Sequence, residues 1–423
     1  MSSSEDLGEK KLSRRRFVES AGALLAAGVI GVGLGDVAVN LLKQQPAKTV
    51  ARPNLRPSTT AGLGTRDARA LSPMYRTTPI APRTQSKPFS IFWITDTQFL
   101  SESNPTLFQA QVNWIVNNWK PYNGKMVIHT GDIVEHGDNA LEWVCANEAV
   151  SILSQSGIPY TWCAGNHDDF VNGDPTSGWI GRKTAPAFDP AVVSRQVNAL
   201  SYAGWAGDYH DGMNTAVTFT ANGLSFLVVN IEWNAQPDVL VWVETLLDNP
   251  EYANQHVIIA PHAYMDATGD LDDAKWGATL AAFVNVLTPM MNKHPNVFLT
   301  LNGHFATDCG YNTSSPVNVR NQLMFDRQDS FDVSDEPEGR GVDDASLQPN
   351  IPDSEKVGGA TITVLTFDTE NNRIAARTFD PYAGSWRDNQ YENYYVTMFP
   401  SLPSALSYGP RLTPQTSIPD ILA

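Results

Sequence analysis

Five apolar runs in this chain each end on a residue that can ligate a metal or carry a proton. Ile91-Phe92-Trp93-Ile94-Thr95 leads into Asp96, residues 125–129 into Gly131-Asp132, and residues 159–163 into Gly165-Asn166-His167-Asp168. Residues 256–260 lead into Pro261-His262, and residues 297–301 into Gly303-His304. Apolar runs of this length read as buried strands. Side chains at successive strand ends meet at one edge of an α/β sheet, where such folds place their chemistry.

The segments between the runs support that reading. Residues 107–119 put Val112, Ile115, Val116 and Trp119 on one helical face. Residues 139–156 have helical spacing, and Gly157 follows as a helix-ending glycine. Residues 239–247 and 275–291 are also predicted helices. Asn222-Gly223 and Asn371-Asn372 each separate two β-type runs and predict hairpins. Strands alternating with helices, with hairpins at the middle and end, predict an α/β fold: a four-layer α/β/β/α sandwich with two central mixed sheets.

Other segments carry weaker patterns. Residues 170–214 are rich in Gly, Asp and Trp and lack a clear period; they predict an irregular insertion placed as a lid. His210, Trp179 and Trp205 within it are candidates to touch a substrate. Residues 326–355 hold ten acidic and two basic residues and predict an exposed loop. The chain after Pro381 reads as irregular, with residues 401–423 as a tail.

Charge narrows the function classes. The net charge of −16 hides an asymmetry, since residues 1–87 carry +8 and the remainder −24. A body this acidic repels nucleic acid and anionic membranes at long range, so neither is an expected partner. Three cysteines, Cys145, Cys163 and Cys309, are too few for a disulfide scaffold and fit no zinc spacing.

The series Asp96, Gly131-Asp132, Gly165-Asn166-His167-Asp168, His262 and Gly303-His304 resembles the calcineurin-like metallophosphoesterases, over most of residues 88–400. The resemblance implies a two-metal hydrolase that cleaves a small phosphate mono- or diester with a metal-activated hydroxide. It implies metal ligands at Asp96, Asp132, Asn166, His262 and His304, with Asp132 bridging. His167 would act on the leaving group, with Asp168 or Asp169 fixing its tautomer. The nitrogen and oxygen ligands suit zinc, manganese or iron, one or two ions per chain. Two positions depart from the family pattern. Gln98 stands where the first motif has a histidine, leaving an oxygen ligand in its place, and Ala306 replaces the second histidine of the last motif. Both losses fall on one metal. They leave a second reading open, a degenerate member serving as an extracytoplasmic binding or scaffold protein.

The first 42 residues read as an export signal. Ser13-Arg14-Arg15-Arg16-Phe17-Val18 precedes an uncharged stretch over residues 21–35 and resembles the twin-arginine type. Fifteen residues fall short of the roughly 20 that a spanning helix needs, so stable membrane insertion is not expected unless the signal stays uncleaved. Export by the twin-arginine machinery would make the protein periplasmic or secreted. Residues 43–87, rich in Pro, Thr, Arg and Ser, read as a linker or surface arm.

Overall fold

The computed structural model describes residues 86–169, 179, 181–265, 278–305, 308–314, 320–328, 359–387 and 393–399. The signal, nearly all of the arm, part of the predicted lid, most of the acidic loop and the tail lie outside the described residues.

The first sheet grows around β1 (Phe89–Ile94), which lies parallel to β2 (Gly124–His129) and antiparallel to β11 (Ile362–Asp368). Beyond β2 comes β3 (Tyr160–Trp162), also parallel, and beyond β11 comes β12 (Arg373–Asp380). The second sheet has the parallel strands β6 (Leu224–Ile231), β7 (His256–Pro261), β8 (Val297–Asn302) and β10 (Arg320–Asp326) in that order. It is flanked by β5 (Asn214–Ala221) and β4 (Ala203–Tyr209) on one side and β9 (Asp308–Ser314) on the other. Every residue of β1, β8, β10 and β11 is buried. Such continuous burial means that both faces of each sheet are covered.

The inner faces meet through aromatic rings. Phe89 of β1 stacks on Phe367 at 4.8 Å and meets Phe226 of β6 edge-on at 5.5 Å. Trp93 meets Phe325 of β10 at 5.8 Å. Each fully buried ring of this size contributes about 2–3 kcal/mol relative to an exposed one. The outer face of the first sheet carries α2 (Pro105–Asn118) and α3 (Ala140–Gln155), which follow the short α1 (Gln98–Ser103). Pro105 opens α2 behind an Asn104 cap that accepts from Leu107 N at 3.3 Å. The outer face of the second sheet, through Val229 and Ile259, packs on Val239, Val243, Leu287 and Met291, part of the second core. Those four residues come from the helices Pro237–Leu247 and Ala278–Lys293. The predicted four-layer α/β/β/α sandwich is therefore the observed fold.

Two predictions about local order are corrected. The segment 170–214 is not irregular where it is described. It contains two 3-10 turns, a helix at Pro190–Asn198 and all of β4. The helix had a cap signal, Asp189-Pro190, and buries Val193 and Val197. β4 is a half-exposed edge strand with two glycines, which weakens any alternation. The chain after Pro381 likewise adds two short strands, Ser385–Trp386 and Asn393–Thr397, both paired to β12. Asn222-Gly223 turns the β5–β6 hairpin with both residues at positive φ, as predicted. Among the described residues, no helix is long and apolar enough to cross a membrane.

Candidate metal centre

The two sheets are stitched together where their parallel strands end. Asp96 N donates to Gly131 O at 3.0 Å, joining β1 to the loop after β2. His262 N donates to Ile231 O and Gly303 N to His262 O, both at 3.0 Å, joining the ends of β6, β7 and β8. Across the sheets, Asn230 Nδ2 donates to His129 O at 3.1 Å. Asp96, Asp132 and His304 all sit in the left-handed backbone region, with φ of +51°, +52° and +77°. Each such residue costs on the order of 1–3 kcal/mol, and strain of this kind collects at functional sites. The glycines of the motifs allow the close approach. A Cβ on Gly165 would overlap the Asp132 carboxylate, and one on Gly303 would overlap Asp96 and the Thr95 hydroxyl.

Four of the predicted ligands converge. Asn166 Oδ1 lies 3.0 Å from His262 Nε2 and 2.8 Å from His304 Nδ1, and the two ring nitrogens are 3.2 Å apart. His262 Nε2 is also 3.4 Å from Asp132 Oδ1. The ligand atoms of Asp132, His262 and His304 lie within 4.8 Å of one another. Thr130 O, which can only accept, takes the His262 Nδ1 hydrogen at 2.7 Å. That leaves Nε2 facing the carboxylate and the amide oxygen. Lone pairs so opposed require a cation between them, either a proton or a metal ion. The fixed far-side hydrogen bond is the usual device for orienting a ligating imidazole.

The electrostatics agree. Burial opposes a charged His262, but Asp132, with a smaller contribution from Asp96, outweighs it and raises the imidazole to about 9. Burial also opposes a charged Asp132, yet His262 and His167 hold that carboxyl below the usual range. Asp96 is pushed up to about 7, first by burial; His262 opposes this and the Asp132 charge adds to it.

The remaining two ligands sit beside Asp132. Asp96 accepts His304 N at 3.1 Å and the Thr95 hydroxyl. Gln98 is buried, with Nε2 3.4 Å from Asp132 Oδ2 and Oε1 without a hydrogen-bond partner. An orphaned buried amide oxygen on a side chain that meets the Asp132 carboxylate fits a cation ligand. The donor set on both sides of Asp132 therefore fits metal ions.

His167 is where the sequence predicts it, and its partner is not. Its backbone N donates to Asp132 Oδ1 at 2.9 Å, and Nε2 stands 3.9 Å from Asp132 Oδ2. Nδ1 donates to the Glu135 backbone oxygen at 3.3 Å and also stands 3.0 Å from Glu135 Oε2, at ion-pair distance. Asp168, expected to orient His167, turns the other way. Its Oδ1 accepts from Ile133 N and Val134 N at 2.8 and 3.0 Å, and its Oδ2 accepts from Gly165 N at 2.7 Å. A carboxylate receiving three backbone donors fixes the Asp132 and Asn166 loops against each other and does not reach the imidazole. The signal for Glu135 was its place three residues after Asp132, in the same strand-end loop.

A second imidazole flanks the centre. β5 begins next to the 210–213 turn, where Met213 O accepts from Ala164 N at 2.8 Å, so this turn lies at the same edge. His210 Nδ1 pairs with Glu232 Oε1 and Nε2 with Asp238 Oδ2, each at 3.0 Å. Glu232 follows β6 as His262 follows β7, and Ile231 and Pro261 are register partners. Trp233, missed in the sequence, brings its ring within 4.3 Å of the His304 ring. Trp179 and Trp205 instead pack on Trp143 and Trp162 at 5.1 and 5.9 Å.

A family model, calcineurin-like phosphoesterase, matches residues 89–304, and the chain belongs to that family. The chain is 26% identical over 314 residues to the uncharacterized protein YvnB of Bacillus subtilis strain 168. That match covers 73% of this chain and 21% of YvnB, so the chain spans about a fifth of that relative's length. Among solved structures it is similar to purple acid phosphatase PPD1 from yellow lupin seeds, at 11% identity and a TM-score of 0.45, covering 74% of this chain and 54% of that one. It is also similar to GAP50, the anchor in the inner membrane complex of Plasmodium, at 12% identity and a TM-score of 0.42, covering 75% and 91%.

Proposed function

We propose that this chain hydrolyses a small phosphate mono- or diester with the help of bound metal ions. Asp132, Asn166, His262 and His304 would hold one ion; Asp96, Gln98 and Asp132 would hold a second. Mixed nitrogen and oxygen donors favour zinc, manganese or iron. Ions held there supply Lewis acidity and a nucleophilic water at neutral pH.

The observation that carries the proposal is the pair Glu135–His167 beside Asp132. The Glu135 backbone carbonyl takes the Nδ1 hydrogen at 3.3 Å and fixes the tautomer, with the Glu135 carboxylate at ion-pair distance, so Nε2 is the atom presented toward the Asp132 side. From there a protonated Nε2 gives its hydrogen to the departing ester oxygen, a general-acid contribution of about 10²–10⁴-fold. A protein that only binds or scaffolds has no use for an imidazole so held. The test is a panel of phosphate mono- and diesters against protein loaded with manganese, zinc or iron. Turnover that disappears with chelation supports hydrolysis. No turnover of any ester by loaded protein makes the scaffold reading the better one.

We further propose export by the twin-arginine machinery, from the arginines before a short apolar run. Replacing Arg14, Arg15 and Arg16 by Lys should leave the protein in the cytoplasm; unchanged export would refute this.

A further inference from the structure

The indole of Trp233 stands against a ligand ring of the candidate metal centre. Its centroid lies 4.3 Å from that of His304, tilted by 35°, and 6.0 Å from that of His262, at 73°. His304 Nδ1 and His262 Nε2 are the nitrogens that converge on Asn166 Oδ1. A second ring, Phe305, meets His304 at 5.0 Å, but Phe305 is buried whereas Trp233 is half-buried. Part of the indole surface is therefore left to solvent beside the ligands.

The chain is held on both sides of this ring. Trp233 N donates to Ala164 O at 3.0 Å, two residues before Asn166. Glu232, just before it, accepts from Asn214 Nδ2 and donates its backbone N to Asn214 Oδ1, each at 2.8 Å, and its carboxylate meets His210. Asn234, just after it, takes a φ of +47°, and its carbonyl accepts from Gln236 Nε2 at 3.0 Å. A ring fixed in this way loses little freedom on meeting a ligand. Its N–H is also unspent. Trp93, Trp162 and Trp179 donate theirs to Thr130 Oγ1, Gly212 O and Asp211 O. That of Trp233 meets no acceptor among the described residues. An indole N–H usually finds a partner when buried, so this half-buried one is available to a bound molecule.

The side chains proposed to hold ions or move a proton are polar: Asp96, Gln98, Asp132, Asn166 and His167. They serve the phosphoryl group and offer no apolar surface to the organic part of an ester. Resting on the phosphoesterase reading above, we propose that Trp233 contacts the substrate and selects phosphate esters that carry a flat aromatic ring, aryl or heteroaryl, over those with a small alkyl group. The ring of the ester rests against the open part of the indole while its phosphate lies on the ligand side. A polar atom on that ring can accept the indole N–H. Ring pairs of this kind are worth roughly two- to tenfold in affinity beyond the area they bury. Trp233 is on this reading a specificity-determining residue and not a metal ligand.

The experiment reads affinity with ligands that cannot be hydrolysed. Titration calorimetry on the full chain loaded with manganese compares phenylphosphonate, cyclohexylphosphonate and methylphosphonate at mildly alkaline pH. Phenylphosphonate should bind tighter than methylphosphonate by roughly tenfold or more, from burial and ring contact together. Cyclohexylphosphonate, apolar but puckered, should fall between them. Trp233→Leu should weaken phenylphosphonate by about two- to tenfold and leave methylphosphonate affinity and manganese content unchanged. Trp233→Phe, which keeps a flat ring, should restore most of that loss. A phenyl-to-methyl ratio that Trp233→Leu does not move, an equal loss for both ligands, or cyclohexylphosphonate binding as tightly as phenylphosphonate overturns the inference and leaves the phosphoesterase reading intact. Binding of none of the three by the loaded wild type overturns that reading and the inference with it.

Discussion

Glu135 Oε2 stands 3.0 Å from His167 Nδ1, three residues beyond Asp132, the carboxylate proposed to bridge two metal ions. The Glu135 backbone carbonyl, 3.3 Å from Nδ1, sets which ring nitrogen faces the Asp132 side, and the carboxylate adds its charge. Glu135→Gln should keep the backbone hydrogen bond but remove the charge that stabilises the imidazolium. The expected result is a fall in kcat of about 10–100-fold on alkyl esters, part of the general-acid contribution. The loss should be much smaller on nitrophenyl esters, and metal content should not change. An equal loss on both leaving groups would assign Glu135 a structural role instead.

Asp168 should behave differently. Its carboxylate satisfies three buried backbone donors. Each unsatisfied donor costs about 1–3 kcal/mol. Asp168→Ala should therefore destabilise the fold by at least about 3 kcal/mol, read as a lowered urea midpoint. A variant that unfolds at the wild-type midpoint would show that water replaces the carboxylate.

His129 gives a pH signature. It is buried, faces Thr97 Oγ1 at 2.9 Å, and is lowered to about 3, first by burial and then by the His262 charge. The unfolded chain takes up this proton below its ordinary value near 6.5, whereas the folded chain does not. Stability from this group is therefore complete above about 6.5 and is lost as pH falls toward 3, by about 1.4 kcal/mol per pH unit. Comparing wild type with His129→Gln in urea at pH 6.5 and 4.5 isolates it. The variant should lose less stability on acidification; equal losses would contradict a neutral buried His129.

Gln98 predicts unequal metal sites. The Asn166/His262/His304 side should fill first, and the Asp96/Gln98 side should empty on dialysis. Gln98→His should restore a nitrogen ligand and tighten the second zinc by roughly tenfold or more, as titration calorimetry would show. Imidazole suits zinc better than an amide oxygen does. Two tightly held ions in the wild-type chain after dialysis would show that Gln98 already suffices.

Much of this was legible in the residues because each signal was local. Apolar runs gave strands, Asn222-Gly223 gave a hairpin, and ligand-type residues after strands gave the site edge. The Asp168 assignment failed because adjacency in sequence does not fix direction. Asp168 and His167 lie on a four-residue helix and point to different neighbours. Glu135 and Glu232 were missed because each acquires its imidazole across a gap that only the fold closes, 32 residues in one case and 22 in the other. β4 was hidden because an edge strand with two glycines lacks alternation.

Single-turnover kinetics of wild type and His167→Ala on an alkyl phosphomonoester and an alkyl phosphodiester, with metal content measured on the same samples, test the central claim most directly. The account predicts metal-dependent cleavage by wild type, and a rate roughly 10²–10⁴-fold lower in the variant at unchanged metal content. Equal rates in the two proteins, or no cleavage by fully loaded wild type, would contradict it.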